Sequence, residues 1–285
     1  MPVFVRQLIE AWSEHRIASL SAALAYYMLF SLAPILLICI ALMGVFLSPD
    51  IARGEVLAKI NRVFDPEVTQ QIQMMLETAH QPKTSALANG IGGIVLVMGA
   101  SGLFGEIQGG LNLIWGVKAK PDRSLMSYVS ERILSFAMVL LIASLLLLSV
   151  VLSTFLTFLS SHVNPLWSQA MAVQFMISGC AYLLFITVLF ALMFKILPDV
   201  QLKWRDVWLG AFITALMFIM GKFLLGIYLE KTQIATAFGA AGSIIVILVW
   251  VYYSAQIFFI GAEITKLYAT RHHRKITPTK DAMLS

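Results

Sequence analysis

One uncharged stretch near the start of the chain decides the class of fold: IASLSAALAYYMLFSLAPILLICIALMGVFLSP, residues 17–49. It runs for 33 residues between Arg16 and Asp50 without a charged side chain. A helix needs about 20 mostly apolar residues to cross the hydrocarbon core of a bilayer. The stretch exceeds that length, and we therefore predict a first transmembrane helix at 19–47.

The composition of the whole chain is also typical of a membrane protein. Of the 285 residues, 59% are hydrophobic and only 12% are charged, whereas soluble domains carry roughly 25% charged residues. The mean hydropathy is +0.85. Backbone polar groups in lipid must be satisfied within their own segment, so long apolar runs favour helices. The predicted fold class is all-α, a polytopic membrane protein with six transmembrane helices at 19–47, 84–105, 133–160, 173–194, 207–229 and 243–265.

The distribution of lysine and arginine predicts the orientation, because cytoplasmic loops carry an excess of these residues. With the N-terminus inside, the inner segments hold 14 of the 20 basic residues, the outer segments hold 5, and Lys222 lies within a span. We therefore expect both termini in the cytoplasm of a bacterial inner membrane, with a basic tail at 266–285. This distribution accounts for the net charge of +5 without nucleic acid as a partner.

Two segments outside the spans are amphipathic. Residues 1–18 carry apolar side chains at helical spacing, which predicts a cytoplasmic interfacial helix that either lies on the headgroups or acts as a lid or gate. In the external segment 48–83, Ser48 and Asp65 each precede a proline, and this order is typical of a helix start. We predict an external helical hairpin whose apolar faces either pack on the span ends or lie in the outer headgroup layer. With the spans it forms one domain, 19–265.

Three charged side chains fall within or beside the predicted spans, where an unpaired charge costs several kcal/mol. Lys222 lies about 10 Å from the outer end of its span at helical rise. It either reaches the interface, pairs with a carboxylate or binds a substrate or ion. Glu263 lies near the end of the last span, and a local pair with Lys266 is the simplest interpretation.

Glu106, the third charge, lies within the glycine-rich stretch GASGLFGEIQGG at 99–110. Gly99, Gly102, Glu106, Gly109 and Gly110 share one face at helical spacing. Small residues let another backbone approach closely. We interpret the stretch as a close-packing surface that leads into a polar cytoplasmic mouth, which Gln108, Asn112 and Trp115 extend.

The sequence gives little support for catalysis. The histidines have no Asp, Glu or Cys at a metal-binding spacing, apart from the adjacent tail residues His272 and His273. Neither a nucleophile elbow nor a phosphate loop is present. Cys39 and Cys180 lie in apolar runs and are expected to be buried and unpaired. We therefore do not predict an enzyme.

Several segments together resemble one family. They are ALAYYMLFSLAPIL at 23–36, LNLIWG at 111–116, LPDVQLKWRDVWLGAF at 197–212, GK at 221–222 and FGAAGSIIVILVWVYYSAQIFFIGAEIT at 238–265. In these elements the chain resembles the YihY/BrkB family of bacterial inner-membrane proteins, once labelled ribonuclease BN. One departure is Gln108, where members often carry an acid.

The resemblance implies six spans with both ends inside, and it implies no cofactor. Relatives are associated with cell-envelope integrity, serum resistance and transport of lipid A-type precursors, and ion/proton antiport has also been proposed for similar proteins. Through its first-span element, the resemblance also points to Tyr26 and Tyr27.

Our first hypothesis is an inner-membrane transporter or flippase for a lipid or lipid-linked envelope molecule. The partners would be membrane lipids, such as an anionic lipid or a lipid A-type precursor, whose head meets Arg132 and Arg205 inside and Lys222 deeper in the span. The alternatives are a cation/proton antiporter that uses Glu106 or Glu263, and an envelope-integrity scaffold without transport activity. The sequence does not predict the oligomeric state. The candidate substrate or transport residues are Lys222, Glu263, Asn112, Trp115, Glu106, Gln108, Arg132, Arg205, Tyr26 and Tyr27.

Overall fold

Long helices make up most of the structure, a computed structural model. It describes residues 3–61, 66–80, 102–120, 133, 137–145, 147–148, 171–232, 241–271, 276–279 and 281–284. The helices are α1 (Val3–Glu14), α2 (Ile17–Met43), α3 (Pro49–Asn61), α4 (Pro66–His80), α5 (102–115), α6 (137–145), α7 (Met171–Ile196), α8 (Trp204–Thr232) and α9 (Gly242–Arg271). Two short strands are β1 (Val117–Ala119) and β2 (Ala282–Leu284).

Three helices in the described part of the chain are long and apolar enough to cross a membrane. They are α2, the segment Trp204–Tyr228 of α8, and α9. They coincide with the predicted spans at 19–47, 207–229 and 243–265. The helix α7 covers the predicted span at 173–194 and contains a shorter apolar segment, Tyr182–Ile196. The predicted spans at 84–105 and 133–160 lie largely outside the described residues.

The centre of the bundle is an aromatic cluster that joins α7, α8 and α9. The rings of Phe194 on α7 and Phe258 on α9 have centroids 5.0 Å apart. Phe190 of α7 meets Phe218 of α8 edge to face at 5.7 Å. Such ring pairs contribute about 0.5–1.5 kcal/mol each beyond their buried area. The three helices therefore form one packed block, against which α2 also packs through α9.

A close reciprocal contact joins α8 and α9. A Cβ atom on Gly210 would lie 1.8 Å from Oγ1 of Thr265, and one on Gly261 would lie 1.9 Å from Oγ1 of Thr214. Each threonine hydroxyl donates to the carbonyl of the glycine one turn earlier on its own helix, at 2.6 Å for Thr214 and 2.8 Å for Thr265. Each glycine therefore makes room for a threonine of the other helix, as small residues do where membrane helices cross.

The predicted close-packing face at 99–110 is contacted at two of its three described glycines. An added Cβ would lie 3.5 Å from the ring of Tyr27 at Gly102 and 2.6 Å from the ring of Phe259 at Gly110, whereas at Gly109 it would have no described heavy atom within 4 Å. The prediction therefore agrees with the structure at Gly102 and Gly110 but not at Gly109. The shortest glycine contacts among the described residues are those with threonine on α8 and α9, a long-range match that spacing on one helix does not reveal.

The helices α3 and α4 pack against the helices that they flank. Ala52 and Val56 of α3 are buried with Met43 of α2. Val68 and Ile72 of α4 belong to a buried cluster with residues of α2 and α9. The sequence left two interpretations of this hairpin, packing on the span ends and lying in the outer headgroup layer. These contacts agree with the first.

The strands β1 and β2 form a two-stranded antiparallel sheet that the all-α prediction omitted. Val117 lies opposite Leu284 and Lys118 opposite Met283. Three-residue strands are too short to show an alternating pattern, which explains the omission. The predicted basic tail, 266–285, is therefore partly the end of α9 and partly this strand. We call the end of the bundle that carries α1, this sheet and the turn at 197–203 the terminal face.

Candidate functional site

The connection between α1 and α2 has an unusual backbone. Arg16 adopts a left-handed conformation, with φ 50° and ψ 46°, and it is the one non-glycine residue with positive φ in the described chain. Residues that carry a Cβ rarely adopt this conformation, because the Cβ comes too close to the following carbonyl oxygen. The turn redirects the chain, so that α1 packs against α9 rather than continuing α2.

This turn places His15 against Glu263 of α9. Nδ1 of His15 is in hydrogen-bond contact with Oε1 of Glu263. The side chain of Glu263 is 1% exposed and that of His15 is 15% exposed. A buried carboxylate is costly unless it is paired and hydrogen-bonded. The hydrogen-bond partner of Glu263 is thus 248 positions away in the sequence, and Lys266, the predicted local partner, acts on Glu263 through its charge.

A second attachment holds the start of α1. A guanidinium nitrogen of Arg271, the last residue of α9, donates to Oε1 of Gln7 at 3.0 Å. The same guanidinium lies 5.1 Å from the ring centroid of Phe4, within the range of a cation–π contact. On the outer side of α1, Arg6 donates to Glu10 at 2.8 Å, and this bond together with the carboxylate charge raises the pKa of Arg6.

A second polar cluster on the terminal face is centred on Asp199. Nδ2 of Asn112 donates to its carboxylate at 2.8 Å, and Oδ1 of Asn112 accepts from the Asp199 backbone N–H at 2.8 Å. Nε2 of Gln108 donates to the other carboxylate oxygen at 3.2 Å. Three hydrogen bonds therefore join α5 to the turn between α7 and α8. Trp115, one turn further along α5, is buried in the core.

Sequence reasoning missed the role of Asp199, which it treated only as part of a helix-breaking turn. The available signal was that Gln108 and Asn112 lie four residues apart, so that two amides share one helix face. Amide donors on one face suit a carboxylate acceptor. The position of that carboxylate, 87 residues from Asn112, is decided by tertiary structure.

The C-terminal tail completes this cluster through its backbone. Thr279 N–H donates to the Asp199 carbonyl at 3.0 Å, and Gln201 N–H donates to the Thr277 carbonyl at 2.9 Å. Lys120 N–H donates to the Asp281 carbonyl at 3.1 Å. The tail therefore joins the chain just after β1 to the turn at 197–203.

Lys222 lies in a separate cleft between α8 and α9. The cleft is narrow and leaves no water-sized cavity, and its other lining residues are Phe218, Leu225, Trp250, Tyr253, Ser254 and Ile257. Gly221 allows the two helices to meet there, since an added Cβ would lie 2.6 Å from the Tyr253 ring. The cleft is thus lined by an ammonium group, an indole and two hydroxyls on otherwise apolar walls.

The structure does not gather the predicted candidates into one site. Glu263 pairs with His15, and Gln108 and Asn112 bind Asp199. Ser254, which lines the cleft of Lys222, lies nine residues or about 13 Å before Glu263 along α9. Of the remaining candidates, Tyr26 and Tyr27 contact each other edge to face, with ring centroids 5.9 Å apart. Tyr26 and Tyr27 are exposed on α2, Arg205 is exposed at the start of α8, Glu106 is partly buried on α5, and Arg132 lies outside the described residues.

Within the described residues, His, Cys, Asp and Glu form no group of three that could hold a metal ion. The long apolar helices define a helical membrane protein.

Comparison with known proteins identifies its family. A family model described as virulence factor BrkB matches residues 8–284, and the chain therefore belongs to the BrkB family. This confirms the resemblance seen in the sequence. No solved structure matches the chain.

The similar proteins are named only as membrane proteins. A UPF0761 membrane protein of Pseudoalteromonas atlantica is 28% identical over 283 residues, which cover 96% of this chain and 88% of that protein. One of Azotobacter vinelandii is 28% identical over 274 residues, or 95% of this chain and 65% of that protein. One of Yersinia pestis (strain Pestoides F) is 32% identical over 202 residues, or 67% and 64%.

Proposed function

We propose that the protein transports an anionic amphiphile, a lipid or lipid-linked envelope molecule, across the bacterial inner membrane. The observation that carries the proposal is Lys222 in its cleft between α8 and α9. A cation within an apolar span is costly, and such residues commonly mark substrate pathways. In this proposal the protein is not an enzyme and uses no cofactor, and its partners are membrane lipids.

The surroundings of Lys222 suit the head of such a molecule rather than the whole of it. A phosphate-sized head would enter between α8 and α9 only if the two helices moved apart there, and Lys222, Tyr253 and Ser254 would then meet it with hydrogen-bond donors. Close to Lys222 along α8, Met220 and Phe223 are 66% and 70% exposed. Acyl chains would therefore remain in the bilayer against this apolar surface while the head occupies the cleft.

The orientation is part of the proposal. The excess of basic residues favours a cytoplasmic terminal face, where Arg205 is exposed at the start of α8. Lys222 would then lie in the outer half of the span, ten residues or about 15 Å before the end of α8 at Thr232. A head group would meet basic side chains at both ends of its path.

Reconstitution into liposomes tests the proposal directly. Labelled phospholipids with anionic heads and with zwitterionic heads would be followed in vesicles that contain wild type, Lys222→Met or Lys231→Met. Both variants remove one positive charge from α8, but Lys231 is an exposed residue of its last turn. We expect Lys222→Met to slow anionic lipid movement about tenfold or more, as the loss of a charged hydrogen bond implies, and Lys231→Met to behave as wild type.

Two results would contradict the transport proposal. One is movement no faster in wild-type vesicles than in empty vesicles for every anionic lipid, including lipid A precursors. The other is equal rates for wild type and Lys222→Met. The second result would remove Lys222 as the site even if transport occurs.

Cation/proton antiport is the second candidate, and the buried Glu263 beside His15 favours it. A carboxylate that titrates within a membrane protein can exchange a proton for another cation. Vesicles with a fluorescent pH indicator inside would report ion-coupled pH changes. We expect Glu263→Gln to abolish them if antiport occurs, and Glu106→Gln provides the comparison at the other predicted acid. Unchanged signals in both variants would rule this function out.

A further inference from the structure

The helix α1 is attached to the bundle without a hydrophobic core of its own. None of residues 4–14 is fully buried, and Ile9 is 53% exposed. Its polar contacts with α9 are the His15–Glu263 pair and those of Arg271 with Gln7 and Phe4. Of these polar contacts, the His15–Glu263 pair is the buried one.

The charge of that buried contact depends on one proton. With a proton on the imidazole and an ionised carboxylate, His15 and Glu263 are neutral as a pair. Two charged groups act on Glu263 besides His15: Glu14 at the end of α1 and Lys266 on α9. On the other two elements, Arg16 follows His15 directly before α2, and Asp206 lies in the first turn of α8, one turn before Gly210, which contacts Thr265. Glu14 and Lys266 carry opposite charges, so the imidazole proton decides the net charge that Glu263 meets.

We propose that the His15–Glu263 pair is a proton-binding site that holds α1 against the terminal face and releases it when the proton leaves. Loss of the proton from the imidazole to bulk water changes the pair from neutral to a single negative charge. A carboxylate that is 1% exposed has little water to stabilise that charge. The cost is relieved when α1 moves away and water reaches Glu263.

The backbone provides the point about which α1 would turn. His15 and Arg16 are the two residues between α1 and α2, and Arg16 is left-handed, so a change of its two dihedral angles reorients the whole of α1 together with His15. The Arg271 contacts do not titrate near neutral pH, since a guanidinium keeps its charge there. They stabilise the attached position at every pH, and the pH dependence comes from the pair alone. This inference does not rest on transport activity.

Hydrogen exchange measured by mass spectrometry tests the site in the whole protein in lipid nanodiscs. The measurement covers about pH 5.5 to 8.5, the range in which histidines ordinarily change charge. Exchange rates are corrected for intrinsic base catalysis, and α3, which lies in another part of the structure, is the internal reference. Release of one proton limits the effect to about tenfold per pH unit. We expect the protection of amides at 3–14 to fall with rising pH by up to that factor, while the protection of α3 stays constant.

Three variants separate the proton site from a merely structural contact. Glu263→Gln removes the charge and should keep α1 protected at every pH. His15→Gln keeps a hydrogen-bond donor without the proton switch, and should leave α1 unprotected across the neutral range. Arg271→Gln should lower protection by the same factor at every pH and preserve the slope. The proposal is overturned if wild-type protection does not change with pH, or if Glu263→Gln retains the wild-type slope.

Discussion

The crossing of α8 and α9 predicts a large and specific cost for adding one methyl group. In Gly261→Ala the new Cβ would lie 1.9 Å from Oγ1 and 2.9 Å from Cβ of Thr214. Real Cβ contacts are almost never shorter than 3.0 Å. The threonine cannot turn away cheaply, because its hydroxyl donates to the Gly210 carbonyl and its Cβ is itself too close. The two helices must therefore separate at this point.

The expected magnitude follows from overpacking in a rigid interior. Inserting a methylene into a well-packed core costs about 1–3 kcal/mol, and we expect Gly261→Ala to fall in the upper half of this range. Replacement of Thr214 by alanine removes the nearest atom but leaves its Cβ at 2.9 Å. The double variant should therefore recover part of the loss, with a coupling energy of about 1–2 kcal/mol.

Gly226→Ala is the matched control for this prediction. Gly226 lies on α8, and an added Cβ there has no neighbour within 4 Å. This substitution should be neutral or stabilising by about 0.5–1 kcal/mol, because alanine favours helices. Unfolding in detergent followed by circular dichroism gives the comparison. If Gly261→Ala and Gly226→Ala unfold at the same denaturant concentration, the reasoning about the crossing is refuted.

Three further predictions concern the polar groups and the tail. Asn112→Asp places a second carboxylate beside Asp199, so we expect the free energy of unfolding to fall by about 1–3 kcal/mol at pH 7.5. The loss should shrink towards pH 5, where one acid is protonated, and a loss that does not depend on pH would contradict this. The buried Ser21 hydroxyl has no hydrogen-bond partner in the described structure, so Ser21→Ala should leave the thermal midpoint unchanged or raise it, and a clear fall would show a hidden partner. Deletion of 276–285 removes the backbone bonds to the turn at 197–203, so hydrogen exchange there should accelerate, whereas exchange in α3 should not.

The long helices could be predicted because their signal is local and strong. The uncharged run at 17–49 is strongly hydrophobic and is long enough to span a bilayer as a helix. The structure contains α2 there. The same reasoning placed α8 and α9. The two short strands were missed, since their pairing joins residues about 165 positions apart and leaves no periodic pattern in either segment.

The candidate site shows where local reasoning ends. Glu263, Gln108 and Asn112 were recognised as polar groups in apolar surroundings, but their partners were not. Glu263 binds His15 rather than Lys266, and both amides bind Asp199. A turn or a helix crossing brings His15 and Asp199 to these side chains. Spacing along one helix therefore does not predict either partner.

Composition and apolar run length by themselves determined that this is a helical membrane protein, and the sequence motifs placed it in the BrkB family. The physical reason is that lipid imposes the same length and hydrophobicity on any spanning helix, whatever surrounds it. Tertiary structure alone decided which glycines face a side chain, which acid meets which base, and where the tail binds. These contacts depend on distances of a few ångström between segments that are remote in sequence. Helix packing sets those distances.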